Sequence, residues 1–379
     1  MYDGHHHPSI RFLADAFPQW KCFASAGQVS RSSICAVLTA VLVLVANGTS
    51  PSSVMAQQAQ AASDEAELQR FEAQHVGMGV RFRIVGYGND EDIARQAVRA
   101  AFDRIDELNR IFSDYDPKSE IRQLIELPTG KFHSVSPELA SLLVTSAEIH
   151  DSSGGAFDVS VGPLSKIWRE AREKKRLPEE QVITDAAKCV GMNLITVNPS
   201  SAEVRISKDG VSLDFGGIAK GYAADEALRV LREAGIEYAL VDASGDITFG
   251  TPPPTRTHWN AEVARLEADG KPSRRIAVKE GAIATSGDAW QYIELEGKRF
   301  SHILDPRTGW PIEGRSSVTV IAPTGTQADA WASAFSVMGH EKGVELANEL
   351  DGIEVLFVIL IEGTAKTFES SGFQDFDAK

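Results

Sequence analysis

The chain has 379 residues, 43% hydrophobic and 24% charged, which allows one large domain or two intimate ones around a sizeable core. A formal net charge of −15 excludes a general nucleic-acid or anionic-membrane surface. Any phosphate-bearing ligand must therefore be met by local positive groups or by a cation.

Residues 1–56 read as a leader: Arg31 precedes an apolar run from Ile34 to Ala46, and "SVMAQQ" offers a small-x-small cleavage site ending at Ala56. The run has 13 residues, short of the roughly 20 that span a membrane, although an anchor helix is the competing reading. Cys22 and Cys35 fall in the leader, so the remaining chain keeps Cys189 alone and can form no internal disulfide. Cys35 opens the apolar run instead of following it, a poor position for lipid attachment. The leader carries a net +1, which leaves −16 for the rest. Residues 57–70, rich in Ala and Gln, read as a polar tether or exposed helix, 71–370 as the folded domain and 371–379 as a tail.

Within the domain, period-two alternation predicts a strand at "GVRFRIVGYG" (79–88), then a helix over 90–113 with apolar residues at helical spacing. "SDYDPKSEI" (113–121) is a turn forced by Pro117, and a second helix runs from a Ser136 cap to a Gly154 stop. "AFDVSVGPLSKIW" is apolar but interrupted by Gly162 and Pro163. A short helical piece and two strands (194–199 and 203–207) follow. The segment 211–247 reads as strand, glycine turn, helix to Gly235, strand. Strands are expected at 274–288, 291–304 and 316–323, then one helix over 326–350 and a closing strand at 354–360. Neighbouring strands with helices interspersed predict an α+β fold with mixed or antiparallel sheets and a ligand cleft between two intimate subdomains.

Several stretches carry more polar chemistry than their elements need. In "DFGGIAKGYAAD", Gly216 and Gly217 let the backbone turn tightly, and Lys220 falls in the first turn of the helix, where free N–H groups favour an anion. A glycine turn with a surface lysine is the plain alternative. Asp158 in "AFDVSVGP" is either a ligand residue or a turn residue. Asp329 and Ser333 are four apart on one helical face, and carboxylate plus hydroxyl without His or Cys suits a hard cation such as Mg²⁺. An Asp stabilised by the helix dipole is the simpler account. Ser286 belongs to a tight turn, "ATSGD", and Asp305-Pro306 sets another in "SHILDPRTG", where His302, Asp305, Arg307 and Thr308 exceed what a turn requires. The chain has no GxSxG elbow, HExxH or CxxC, and no Walker or dinucleotide fingerprint.

Taken together, these stretches resemble the ApbE-type FAD:protein FMN transferases. The matching pieces run in order: "GMG" (77–79), "FSDYDPKSEI" (112–121), "GGAFDVSVGPL" (154–164), "LDFGGIAKGYAAD" (213–225), "ALVDASGDI" (239–247), "AIATSGD" (282–288), "SHILDPRTGWP" (301–311) and "ADAWASAFSVMG" (328–339). The resemblance implies an enzyme that binds FAD and a divalent cation, moves FMN onto a Thr or Ser hydroxyl of a target flavoprotein, and releases AMP. Carried over by position, Met78, Tyr115, Ala156, Phe157, Asp158, Asp214, Lys220, Ser286, His302 and Ile303 would line the FAD site. The Gly217 carbonyl, Asp329 and Ser333 would hold Mg²⁺. Phosphoryl chemistry adds that a cation with Lys220 would offset developing charge, and that His302 or Asp305 would orient or deprotonate the acceptor hydroxyl. His302 is preferred because its pKa lies near neutrality. The chain departs from the family at Ser333 (commonly Thr), at Phe215 and Ser244 (more usually Leu and Gly), and in lacking a lipobox Cys. The implied setting is the periplasm or the outer face of the inner membrane, with an exported or membrane-bound flavoprotein as partner and any membrane association through the leader. A metal-dependent FAD pyrophosphatase would use the same groups with water as acceptor. A non-catalytic FAD-binding protein would keep only the binding residues.

Overall fold

A computed structural model describes residues 68–263, 266, 274–287, 292–295 and 297–378; the leader, most of the tether and Asp288 of "ATSGD" lie outside the described residues. The chain opens with a hairpin, β1 (Gln69–Gly77) and β2 (Val80–Gly88), then α1 (Glu91–Phe112), whose first N–H groups are capped by the Asp90 carboxylate. A short α2 (Glu120–Leu124), β3 (Phe132–Ser134) and α3 (Pro137–Ser152) follow. Next come α4 (Gly162–Lys174), α5 (Glu180–Ala187), and the hairpin β4 (Ile195–Asn198) and β5 (Glu203–Ile206). Helix α6 (Ala219–Glu233) leads to β6 (Tyr238–Ala243) and β7 (Asp246–Phe249), then to the small pair β8 (Trp259–Val263) and β9 (Arg274–Val278). Strands β10 (Gly281–Gly287), β11 (Tyr292–Leu295), β12 (Lys298–Leu304), β13 (Pro311–Glu313) and β14 (Ser316–Ala322) precede α7 (Gly325–Met338) and α8 (His340–Ala347). The last pair is β15 (Glu354–Ile361) and β16 (Thr364–Glu369).

Eight strands form one sheet in the order β1-β2-β6-β7-β10-β14-β15-β16, and every ladder in it is antiparallel. The fold is α+β, as expected, and the sheets are antiparallel. Alternation sorts the two faces. Phe82, Ile84, Val241, Ala282, Ala284, Val318, Val320 and Phe357 face the helices α1, α6 and α7. Val85, Leu240, Ile283, Ile321 and Leu356 face the β8–β9 pair and Phe373. The alanines on the helix side let α7 lie close against the middle of the sheet, and α7 also touches β12. That contact joins the main sheet to the three-stranded sheet β11-β12-β13, which packs on α4 through Trp168, Phe300 and Trp310.

Five expectations are corrected. The last two residues of the proposed tether, Gln69 and Arg70, already belong to β1, which is paired along its whole length with β2. Pro163 does not interrupt an apolar stretch but starts α4, since a proline in the first helical turn forfeits no hydrogen bond. Residues 211–215 form no strand; a lone bridge joins Val161 and Ser212, because Asp214 turns its carboxylate onto the Gly216 N–H. The expected helix over 326–350 is two, broken at Gly339, whose φ of 79° a glycine adopts without strain. Residues 371–378 do not trail away: Phe373 is fully buried and Asp377 pairs with Arg274.

Candidate active site

The centre of the site is where α6 crosses α7. A Cβ on Gly221 would stand 2.0 Å from Gly325 O, and one on Gly325 would stand 2.7 Å from Gly221 O, so the two backbones meet only because neither residue has a side chain. Asp225, one turn along α6, fixes the crossing by accepting from Gly325 N (2.7 Å), Thr326 N (2.9 Å) and Thr326 Oγ1 (2.6 Å) at the start of α7. This capping puts negative charge at a helix N-terminus. Burial nevertheless pushes the Asp225 carboxyl upward, against the pull of its donors.

The crossing brings Lys220 against Asp329. The ammonium donates to both Asp329 oxygens (2.9 and 3.0 Å) and lies 3.0 Å from Asp246 Oδ2 at the head of β7. Asp329 Oδ2 also accepts from Gly221 N (3.1 Å), so the anion expected at the α6 N-terminus is the protein's own carboxylate. Asp246 Oδ1 accepts from Thr285 N (3.1 Å). Lys220 is held protonated, because its two anionic partners outweigh the burial that disfavours its charge. Burial, reinforced by Asp329, pushes the Asp246 carboxyl up to about 6 despite Lys220. Asp246 was not singled out as a site residue. Its position after a Ser-Gly turn reads as a turn aspartate, and only its place in "ALVDASGDI" marked it.

Ser333 lies one turn beyond Asp329, with its Oγ 2.7 Å from the position a Cβ on Gly217 would take. Gly217 therefore adjoins Ser333, one helical turn from Asp329. The donors here are carboxylate, hydroxyl and peptide oxygens, a set that fits a hard divalent cation. Two carboxylates face one ammonium, so the pocket is one charge short of neutral. Met78 forms the β1–β2 turn at φ 49°, and this turn adjoins the Ser244–Gly245 turn that precedes Asp246. A groove of about 690 Å³ beside these turns is lined by Gly79, Arg81, Ser244 and Gly245 among others, and does not include Lys220 or Asp329. Ser286 lies on the same face of β10 as Ala282 and Ala284, under α7.

Two further groups flank this centre. On one side, Asp214 accepts from Gly216 N (2.9 Å) and from Arg169 Nη2 (2.9 Å). Arg169 Nη1 also donates to Asp114, and its guanidinium lies 4.4 Å from the centre of the Tyr115 ring. On the other side, Phe157 Cε2 is 3.5 Å from the Gly217 Cβ position, and buried Asp158 accepts from Ser160 N (2.7 Å) and Ser160 Oγ (2.6 Å). His150 Nδ1 lies 3.0 Å from Phe157 O, and since a carbonyl only accepts, that nitrogen carries the hydrogen. Ala156 is buried beside Phe157.

The turn after β12 meets this second group, with the Arg307 stem 3.7 Å from the Gly155 Cβ position. Asp305 gives both oxygens to Arg307, Oδ1 to Nε (2.8 Å) and Oδ2 to Nη2 (2.8 Å), and Oδ1 also accepts from Arg307 N (2.9 Å). That places Asp305 as the organiser of its own turn. His302 stands exposed on β12, and Ile303 is buried next to it.

The sequence model of the ApbE family matches residues 78–357. The FAD:protein FMN transferase of Escherichia coli (strain K12) is 29% identical over 305 residues, 79% of this chain and 87% of that protein. The FAD:protein FMN transferase of Vibrio cholerae is 30% identical over 292 residues, 75% and 86% of the two chains. Among solved structures, the ApbE protein of Thermotoga maritima superposes with a TM-score of 0.74 at 30% identity, over 82% of this chain and all (100%) of that one. The flavin transferase ApbE of Vibrio cholerae gives 0.73 at 26% identity, over 82% and 99%.

Proposed function

The chain belongs to the ApbE family, and from that premise we propose that it transfers FMN from FAD to a threonine or serine hydroxyl of a target flavoprotein, releasing AMP with the help of Mg²⁺. The observation that carries the reading is the buried knot of Lys220, Asp246 and Asp329 beside Gly217 and Ser333. A buried ion network persists against its desolvation cost when function needs it, and phosphoryl transfer needs cations and ordered oxygen donors.

In the proposed step the acceptor oxygen bonds to the FMN phosphorus while the bond from that phosphorus to the bridging pyrophosphate oxygen breaks. AMP leaves with the bonding pair. The hydroxyl proton passes to the His302 imidazole, the side-chain type most often used as a general base. Lys220 offsets charge on the phosphoryl oxygens. Asp329, Ser333 and the Gly217 carbonyl would hold the cation, with Asp246 adjoining, and a Mg²⁺ ion held there would supply further charge neutralisation. Met78, Tyr115, Phe157, Asp158 and Asp214 would supply walls for the dinucleotide. Among the described residues no helix is long and apolar enough to cross a membrane. The leader reading of residues 1–56 supports an exported or membrane-bound acceptor, with any membrane association through that leader.

Incubation with FAD, Mg²⁺ and a flavoprotein domain bearing a candidate Thr should add one FMN moiety to the acceptor by intact mass. Release of FMN and AMP without a mass gain on any acceptor would overturn transfer in favour of hydrolysis. His302→Ala should slow transfer by roughly a hundredfold, the scale of a lost general base. An unchanged rate would remove His302 from that role.

A further inference from the structure

We infer that Arg169, on α4, is a positioning residue for the dinucleotide: it ties Asp114 and Asp214 together and forms the floor beneath the Tyr115 ring. The inference rests on the flavin reading above. The side chain does three things at once. Its Nη2 holds Asp214 Oδ2 at 2.9 Å, and the other Asp214 oxygen accepts from Gly216 N at 2.9 Å, so the guanidinium fixes the carboxylate that shapes the Gly216–Gly217 turn. Its Nη1 holds Asp114. Its Cζ lies over the Tyr115 ring, 4.4 Å from the ring centre, a cation–aromatic distance.

Tyr115 is 76% exposed, so with one face occupied by the guanidinium the ring offers the other to a flat ligand ring. A loose tyrosine on a loop would lose side-chain freedom on binding; one already held does not. The two carboxylates explain why the residue is an arginine. Asp114 and Asp214 share one cation, and burial together with Asp214 pushes the Asp114 carboxyl up while Arg169 opposes both. Without Arg169 they would face each other uncompensated at the edge of a site that must admit a pyrophosphate. A lysine supplies the charge but not the planar fork that reaches both acids and stacks on the ring.

The test is FAD affinity, by flavin fluorescence titration without metal, beside KM and kcat for transfer. Arg169→Met should raise the FAD Kd and KM about tenfold and lower kcat less than about threefold, the pattern of lost binding rather than lost chemistry. Asp114→Asn added to Arg169→Met should restore part of the affinity, because it removes the charge that arginine compensates while the Tyr115 ring stays unsupported; a merely structural arginine would not be rescued this way. Arg169→Lys should fall between. An unchanged Kd in Arg169→Met, or no recovery on adding Asp114→Asn, overturns the inference. If Arg169→Met does not fold, Arg169→Lys decides, and a wild-type Kd there overturns it too. Wild-type protein that binds no FAD would overturn the flavin reading itself, and this inference with it.

Discussion

The knot at the α6–α7 crossing and the turn after β12 are both dense in charge, yet their neighbours treat that charge differently. Asp329 and Asp246 are nearly sealed, with side chains 5% and 11% exposed, around an ammonium that neither can replace. The Asp305–Arg307 pair joins residues two apart within one turn, with the arginine 41% exposed. Buried ion pairs cost several kcal/mol of desolvation per ion, so breaking one strands a charge, while an exposed pair contributes about 0–1 kcal/mol. The first cluster is polar at a cost to the fold, which points to function. The second is polar because a tight turn needs its carbonyls and N–H groups tied.

The comparison breaks most visibly at Lys220. Lys220→Met leaves two buried carboxylates facing each other and should cost about 3–5 kcal/mol, with transfer abolished; chemical denaturation measures the first and acceptor mass the second. Gly221→Ala should follow at about 3 kcal/mol, because the methyl group would sit 2.0 Å from the Gly325 carbonyl and must push α6 off α7. A melting temperature lowered by roughly 6–12 °C is the expected reading. A variant as stable and active as wild type would show that the crossing can loosen without consequence.

A subtler test uses pH. The Asp246 carboxyl is raised to about 6 in the folded chain, above an unfolded value near 4, so between these limits the folded state binds more protons. Its contribution is fully present below about pH 4 and is lost as pH rises through about 6. In chelator-treated protein, wild type should therefore gain stability relative to Asp246→Asn as pH falls from 6 to 4. Parallel curves would mean that Lys220 compensates Asp246 completely.

How much of this was legible beforehand follows the same division. Strands such as Val80–Gly88 announce themselves because alternate residues face different layers, and α1 because its apolar residues recur each turn. Gly217, Lys220, Asp329 and Ser333 fall in short-range patterns, a glycine turn entering a helix and two oxygens four apart, but each pattern has a plain alternative, and it is the ordered resemblance that singles them out. Asp246 and Arg169 were not found, because their meaning lies in partners distant in sequence. Asp246 looks like the end of a turn until the sheet carries it to Lys220. Arg169 looks like a surface residue of a helix that Gly162 and Pro163 seemed to interrupt. Asp305 erred the other way. Its spacing from His302 suggested a catalytic pair, and only the structure shows both oxygens spent on Arg307.

That reassignment predicts a modest effect for Asp305→Asn: at most about 1 kcal/mol of stability and less than a tenfold loss of transfer rate. A general base would cost about a hundredfold or more, so the rate alone separates an organiser from a proton acceptor.

The smallest expected effect is a gain. Ser244 takes φ 60°, a left-handed backbone that costs a residue with a Cβ roughly 1–2 kcal/mol, and it stands between Asp242, whose carboxylate caps the turn at Gly245 N (2.8 Å), and Asp246. Ser244→Gly removes that strain but gives back about 0.5–1 kcal/mol as freedom of the unfolded chain, so a net gain of about 0.5 kcal/mol is expected. Because the turn only delivers Asp246 to Lys220, transfer rate should not change. If Ser244→Gly is stabilised and slower, the serine contributes more than backbone, and the strain at this turn belongs with the knot it serves.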